Sequence, residues 1–181
     1  MKKVYLAFFT VLLFLFIPGF ISAEELTQEQ LEDLKVDHYK TSIVEVESAG
    51  PSESYSDSKP LDNEGASLSS VSWKRVTWQQ DAYSRANVHL FRFTYQVYWE
   101  WDSNKITRVV RSSTPSIYAM GWRYDGLNAN TGYYYNSNKN YYTKRQGHFV
   151  LGTGGWDVQH SYPWIQYDIR RGGSYSYARG W

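Results

Sequence analysis

Asn87-Val-His-Leu-Phe-Arg-Phe-Thr-Tyr-Gln-Val-Tyr-Trp-Glu-Trp101 is the stretch whose reading decides the fold. Phe91, Phe93, Tyr95, Val97, Trp99 and Trp101 take every second position, with Arg92, Thr94, Gln96 and Glu100 between them. Successive side chains of a strand point to opposite sides, so this period of two predicts one aromatic, core-facing side and one mostly polar side. A helix would scatter the six apolar residues around its circumference. The stretch therefore reads as the central strand of an antiparallel sheet.

Working outward, Asp102-Ser103-Asn104-Lys105 has the composition of a tight turn, and Ile106–Arg111 returns as a hairpin partner. Upstream, Trp73–Trp78 reads as a first strand. Downstream, Ser116–Tyr124 is a further strand, and 128–140 reads as an Asn/Gly/Tyr loop with a short edge strand at Tyr133–Tyr135. Tyr141–Leu151 reads as a strand broken or bulged at Gly147. Trp164–Ile169 alternates cleanly, and Ser174–Ala178 closes the sheet. About seven or eight short strands with regular turn signals predict a single all-β domain over 71–181, an antiparallel β-sandwich or a partly closed barrel.

The amino-terminal third is different. Lys2 and Lys3 precede an apolar run from Val4 to Ile17, Pro18-Gly19 breaks it, and Ile21-Ser22-Ala23 supplies a small residue for cleavage. This is the pattern of a secretory signal peptide cut after Ala23, and the run is short for a membrane span. The expected product is secreted, without a stable membrane anchor. The chain has no cysteine, which excludes disulfides and thiol chemistry.

Charge then divides what remains. Residues 24–72 carry twelve Asp or Glu against Lys35, Lys40 and Lys59, whereas residues 73–181 carry fourteen Lys or Arg against six carboxylates. An asymmetry of this size suggests an acidic leader over 24–70 and a basic partner surface beyond it. Within the leader, Thr27-Gln28-Glu29-Gln30 reads as a capping box opening a short helix, with Leu31, Leu34 and His38 on one face. Thr41–Val46 reads as a short strand or an extended linker. Ser48–Ser70 is rich in Ser, Gly, Pro and acidic residues and reads as a flexible linker.

The basic part holds all eight tryptophans and fourteen of the seventeen tyrosines, but only three phenylalanines. Trp and Tyr are favoured where one end of a side chain is buried and the other is wet, and ten of the fourteen cations are arginine, suited to bidentate anion contact. Tyr134, Tyr135, Tyr141 and Tyr142, with Arg123, Lys144 and Arg145, form the candidate binding surface. The implied partner is a cell-wall or extracellular polysaccharide or other anionic polymer, bound without catalysis. The competing account uses the same rings as core and soluble skin. No RNP-type aromatic signature or basic run points to nucleic acid.

Catalytic and metal motifs are weak. His38, His89, His148 and His160 show no H-x-H or H-E-x-x-H spacing, so no metal or other cofactor is expected. His89, in line with the core-facing set, reads as a packed or hydrogen-bonded histidine. Asp157, His160 and Ser161 are neighbours without a nucleophile elbow. Glu100 and Asp102 would stand about 7 Å apart on one strand, a spacing glycosidases use. The alternatives to a binding protein are therefore a secreted hydrolase using Glu100, and an exported, bacteriocin-like toxin with an acidic leader.

Overall fold

The structure is a computed structural model that describes residues 26–49, 71–153 and 155–181. The stretch read as a signal peptide and most of the stretch read as a Ser-rich linker fall outside those residues. Among these residues one short helix, α1 (Gln28–Asp33), precedes strands β1 (Val36–Ala49), β2 (Ser72–Ser84), β3 (His89–Trp101), β4 (Ile106–Ile117), β5 (Trp122–Tyr135), β6 (Asn140–Thr153), β7 (Trp156–Ser161), β8 (Trp164–Arg170) and β9 (Tyr175–Gly180). They form two antiparallel sheets, one ordered β1-β2-β3-β4 and the other β5-β6-β8-β9. The first half of β6 pairs with β8 and its second half with β7, so β7 and β8 share one edge of that strand.

β3 is an inner strand with one buried side, as its alternation implies. Phe91, Phe93, Tyr95, Val97 and Trp99 are each 0% exposed, whereas Arg92, Thr94, Gln96, Tyr98 and Glu100 are half-buried on the other side. The buried rings meet the second sheet, with Phe91 stacked on Phe149 at 4.0 Å and Trp99 edge-on to Tyr175 at 5.9 Å. The core therefore lies between the sheets. Gly147 sits at a close approach of the two sheets. A β-carbon there would sit 2.9 Å from the Phe149 ring and 3.0 Å from that of Phe93. β6 runs unbroken through it, and the expected bulge lies instead in β5, around Gly126 at a φ of +105°.

The domain boundary at Val71 is too late. β1 belongs to the stretch read as leader, yet it pairs with β2 from Val36↔Ser84 to Ala49↔Trp73. Its inward residue Tyr39 packs edge-on against Phe91 at 6.3 Å and stacks on Trp181 at 4.9 Å. α1 has the expected capping box, with the Thr27 and Gln30 side chains each accepting from the other's backbone N–H. It ends sooner than its apolar spacing suggested. Leu31 enters the core, the Leu34 carbonyl accepts from Trp122 Nε1 at 2.9 Å, and His38 already lies on β1, stacked on Tyr83. Glu29, Glu32, Asp33 and Asp37 are exposed, and Glu47 pairs with Arg75 at 2.8 Å. Its charge describes the solvent face, while its alternating Tyr39, Thr41 and Ile43 determine the pairing.

Three other expectations change. β5 covers most of the stretch read as a loop, and Ser116–Tyr124 is split between the end of β4, a turn and the start of β5. β7, which carries Asp157, His160 and Ser161, is an additional strand that was not among those expected. A register shift at Ala82/Tyr83 turns His89 outward, where it stacks between Tyr83 and Tyr118 and bonds Asp81 at 2.8 Å.

Buried tyrosines tie the sheets together. Tyr95 bonds Thr143 through its hydroxyl, Tyr167 donates to the Tyr95 carbonyl at 3.1 Å, and Tyr39 bonds Ser161. Burial pushes the Tyr39 phenol up to about 12, against a smaller lowering from its Ser161 bond, and raises Tyr95 and Tyr167 as well. The unfolded chain ionises its tyrosines near the ordinary value of about 10. Stability from these groups is thus fully present below pH 10 and is lost as pH rises toward their folded values. Each contributes a decline of about 1.4 kcal/mol per pH unit while only the unfolded form is ionised. Denaturant midpoints should be level through neutral pH and fall steeply above pH 10, less steeply in Tyr39→Phe. A midpoint constant through that alkaline window would contradict the account.

Candidate binding face

The outer face of the second sheet follows from the pleat of β6. Tyr141, Thr143, Gly147 and Phe149 are buried toward the first sheet, so Tyr142, Lys144, Gln146 and His148 point the other way. Register then sets their neighbours. Tyr133 of β5 lies opposite Tyr142, and Asp168, Gln166 and Trp164 of β8 lie opposite Tyr142, Lys144 and Gln146.

The result is a row of rings with polar groups beside them. Tyr133 and Tyr142 are 5.2 Å apart, and Tyr133 and Tyr135 are 6.3 Å apart. Tyr135 donates to Asp168 Oδ1 at 2.6 Å, and Tyr142 donates to Gln166 Oε1 at 3.0 Å. Lys144 Nζ sits 4.4 Å from the Trp164 ring centroid, a cation–π contact that leaves the ammonium at the surface. Trp164 in turn lies against Gly180, where a β-carbon would fall 2.6 Å from its Nε1. The hydrogen bond to Asp168 holds the Tyr135 phenol up, and desolvation raises that of Tyr142. Both rings thus stay neutral donors at physiological pH. Chemically, the face offers flat apolar rings, hydroxyls and amides already held in place, and the Lys144 ammonium.

The seven residues singled out from the sequence do not form one surface. Tyr135, Tyr142 and Lys144 share the outer face. Tyr141 is 6% exposed and belongs to the core. Arg145 also turns inward, bonding Ser113 Oγ at 2.9 Å and Asn130 Oδ1 at 3.2 Å and reaching the Tyr95 ring at 5.5 Å, so it braces the two sheets. Tyr134 pairs with Tyr141 and packs edge-on against it at 4.7 Å, although the end of the strand leaves it exposed. Arg123, near the other end of β5, donates to Asp157 at 2.7 Å. Adjacent strand residues cannot share a face, and that separates the set. Tyr133, Trp164, Gln166 and Asp168 were missed. The alternation of Trp164-Ile165-Gln166-Tyr167-Asp168-Ile169 held the signal for three of them.

Neither hydrolytic arrangement is assembled. The Asp102 side chain accepts from the backbone N–H of Asn104 at 2.6 Å and of Lys105 at 2.8 Å, which lowers its carboxyl below the usual range. Glu100 accepts from Tyr98 at 2.6 Å and faces Arg108 at 3.4 Å. Ser161 bonds Tyr39, not His160.

Among the described residues, no helix is long and apolar enough to cross a membrane. No protein-family model matches the chain, and no curated protein or solved structure is significantly similar to it. The class defined by the fold and the face is an all-β, two-sheet protein with an aromatic outer platform.

Proposed function

We propose that this is an exported, non-catalytic binding protein that engages a cell-wall or extracellular polysaccharide, or another anionic polymer rich in rings, through the outer face of β5, β6 and β8. The observation that carries this reading is the row Tyr133–Tyr142 with Lys144 on Trp164, held in place by Asp168, Gln166 and Gly180. Rings fixed before binding lose little conformational freedom on contact, which favours a platform over a loop for stacking on sugar faces. The amino-terminal pattern Met1–Ala23 supports export, and the arginine-rich composition of 73–181 supports an anionic partner.

Pull-down on insoluble peptidoglycan, and titration with alginate as a soluble anionic polysaccharide, test the reading. Tyr133→Ala, Tyr142→Ala and Trp164→Ala should each weaken binding about tenfold, in line with the stacking energy of one ring. Thr114→Ala on the outer face of the other sheet should not. Unchanged binding in all three variants would remove the platform from the proposal, and failure of either polymer to bind would remove the ligand class.

A further inference from the structure

A cavity of about 260 Å³ opens between β1, β7 and Trp181, the residue after β9. The Trp181 indole lies on the Tyr39 ring at 4.9 Å with planes 17° apart, yet it is 68% exposed. The Tyr39 hydroxyl bonds Ser161, so these two lining hydroxyls are engaged with each other.

Asp37 and Gln159 line the same cavity. β1 shifts register between Val36 and His38, which leaves Asp37 as a bulge residue without a partner on β2. Bulges of this kind re-aim a side chain and are common beside active sites. The Asp37 side chain is 52% exposed, and its Oδ2 lies 3.1 Å from His38 Nδ1. Gln159 Oε1 accepts from the Val36 N–H at 2.8 Å, which fixes that amide and leaves its NH2 group to donate. The cavity thus joins a flat ring, a carboxylate acceptor and an amide donor.

We propose that this cavity binds a single neutral sugar ring, its C–H face on Trp181 and its hydroxyls on Asp37 and Gln159. A pyranose has the matching chemistry, with C–H groups for an aromatic ring and hydroxyls that both donate and accept. Asp37 accepts from one hydroxyl, and Gln159 donates to another. An alkyl chain would strip water from the carboxylate and the amide without replacing their hydrogen bonds, which is costly. A uronic acid would set a second negative charge against Asp37. The size agrees, because drug-sized ligands occupy pockets of about 300–1,000 Å³ and one ring needs less. Tyr39 backs Trp181 before any ligand arrives, so little ring freedom is lost on contact. The inference does not rest on the platform of β5, β6 and β8. That platform lies on the outside of its sheet, whereas this cavity opens at the margin between the two sheets and takes one residue of a glycan.

Nuclear magnetic resonance titration of the protein with N-acetylglucosamine tests it. The sugar should shift the Trp181 indole N–H signal saturably, with a Kd in the millimolar range. Saturation-transfer measurements on the sugar should give a Kd about tenfold higher in Trp181→Ala and in Asp37→Ala, in line with one ring contact or one charge-assisted hydrogen bond. Trp181→Phe, which keeps a ring, should stay within about threefold of the wild type, and thermal melts show that each variant is folded. Tyr142→Ala on the platform should leave this Kd unchanged. Glucuronic acid and adenosine, an anionic sugar and a flat aromatic base, should bind about tenfold more weakly than the neutral sugar. No saturable shift, equal Kd values in the wild type and Trp181→Ala, a raised Kd in Tyr142→Ala, or binding of either counter-probe as tight as that of N-acetylglucosamine would overturn the proposal.

Discussion

A chain that starts at Val71 is expected to lose its cooperative unfolding transition, while one starting at Glu24 keeps it. The shorter chain lacks β1, so β2 becomes a bare edge along its whole length, open to pairing with other molecules. It also lacks Leu31, 4% exposed in the core, and the Tyr39 ring that covers Phe91. Trp122 Nε1 loses its acceptor on Leu34, and Ser161 loses Tyr39. Removing single large core side chains costs about 2–5 kcal/mol each, and a small domain has about 5–15 kcal/mol in total. Two such losses, an unpaired strand and an orphaned buried donor together consume that margin. Urea unfolding followed by circular dichroism makes the comparison, and a synthetic peptide spanning 26–49 should restore the transition. Equal midpoints for the two chains would show that β1 adds nothing to the fold.

Phe93→Ala carries the next largest effect, a loss of about 3–5 kcal/mol. Phe93 is fully buried, meets Phe149 edge-on at 6.3 Å and packs over Gly147, so the void it leaves is bounded by a ring and by backbone that cannot move in freely. The matching control on the opposite side of β3 is Thr94→Ala, which should change stability by about 0.5 kcal/mol or less. Arg92 is unsuited to that purpose. Its Nε lies 2.6 Å from Asp81, a carboxylate 5% exposed that also takes bonds from His89 and Gln79. Removing Arg92 takes the strongest partner from a buried charge, which costs far more than a surface truncation. Chemical denaturation of Phe93→Ala and Thr94→Ala decides the matter, and similar losses in both would refute the one-sided strand.

Much of the fold was legible because its signals are local. The strict alternation of β3, the Asp102 turn, the Thr27 capping box and the alternation of β8 each lie within a few consecutive residues, and a period of two has one physical meaning. The acidic stretch misled because net charge reports what faces water. Beneath its carboxylates, Tyr39 and Ile43 carried a strand pattern that only pairing with β2 could confirm.

The candidate site was legible in composition but not in membership. In Tyr133-Tyr134-Tyr135 and Tyr141-Tyr142 both parities are aromatic, so alternation says that neighbours diverge without saying which of them enters the core. Two register shifts in β5 and the pairing of β6 with β8 settled that, sending Tyr141 and Arg145 inward and setting Tyr142 and Lys144 beside Gln166 and Trp164. His148 meets His160 across β6 and β7 for the same reason. Sequence placed Tyr142, Lys144, His148, Trp164 and Gln166 on strands, whereas the backbone register between strands, a property of hydrogen bonding across the sheet, decided which side chains touch.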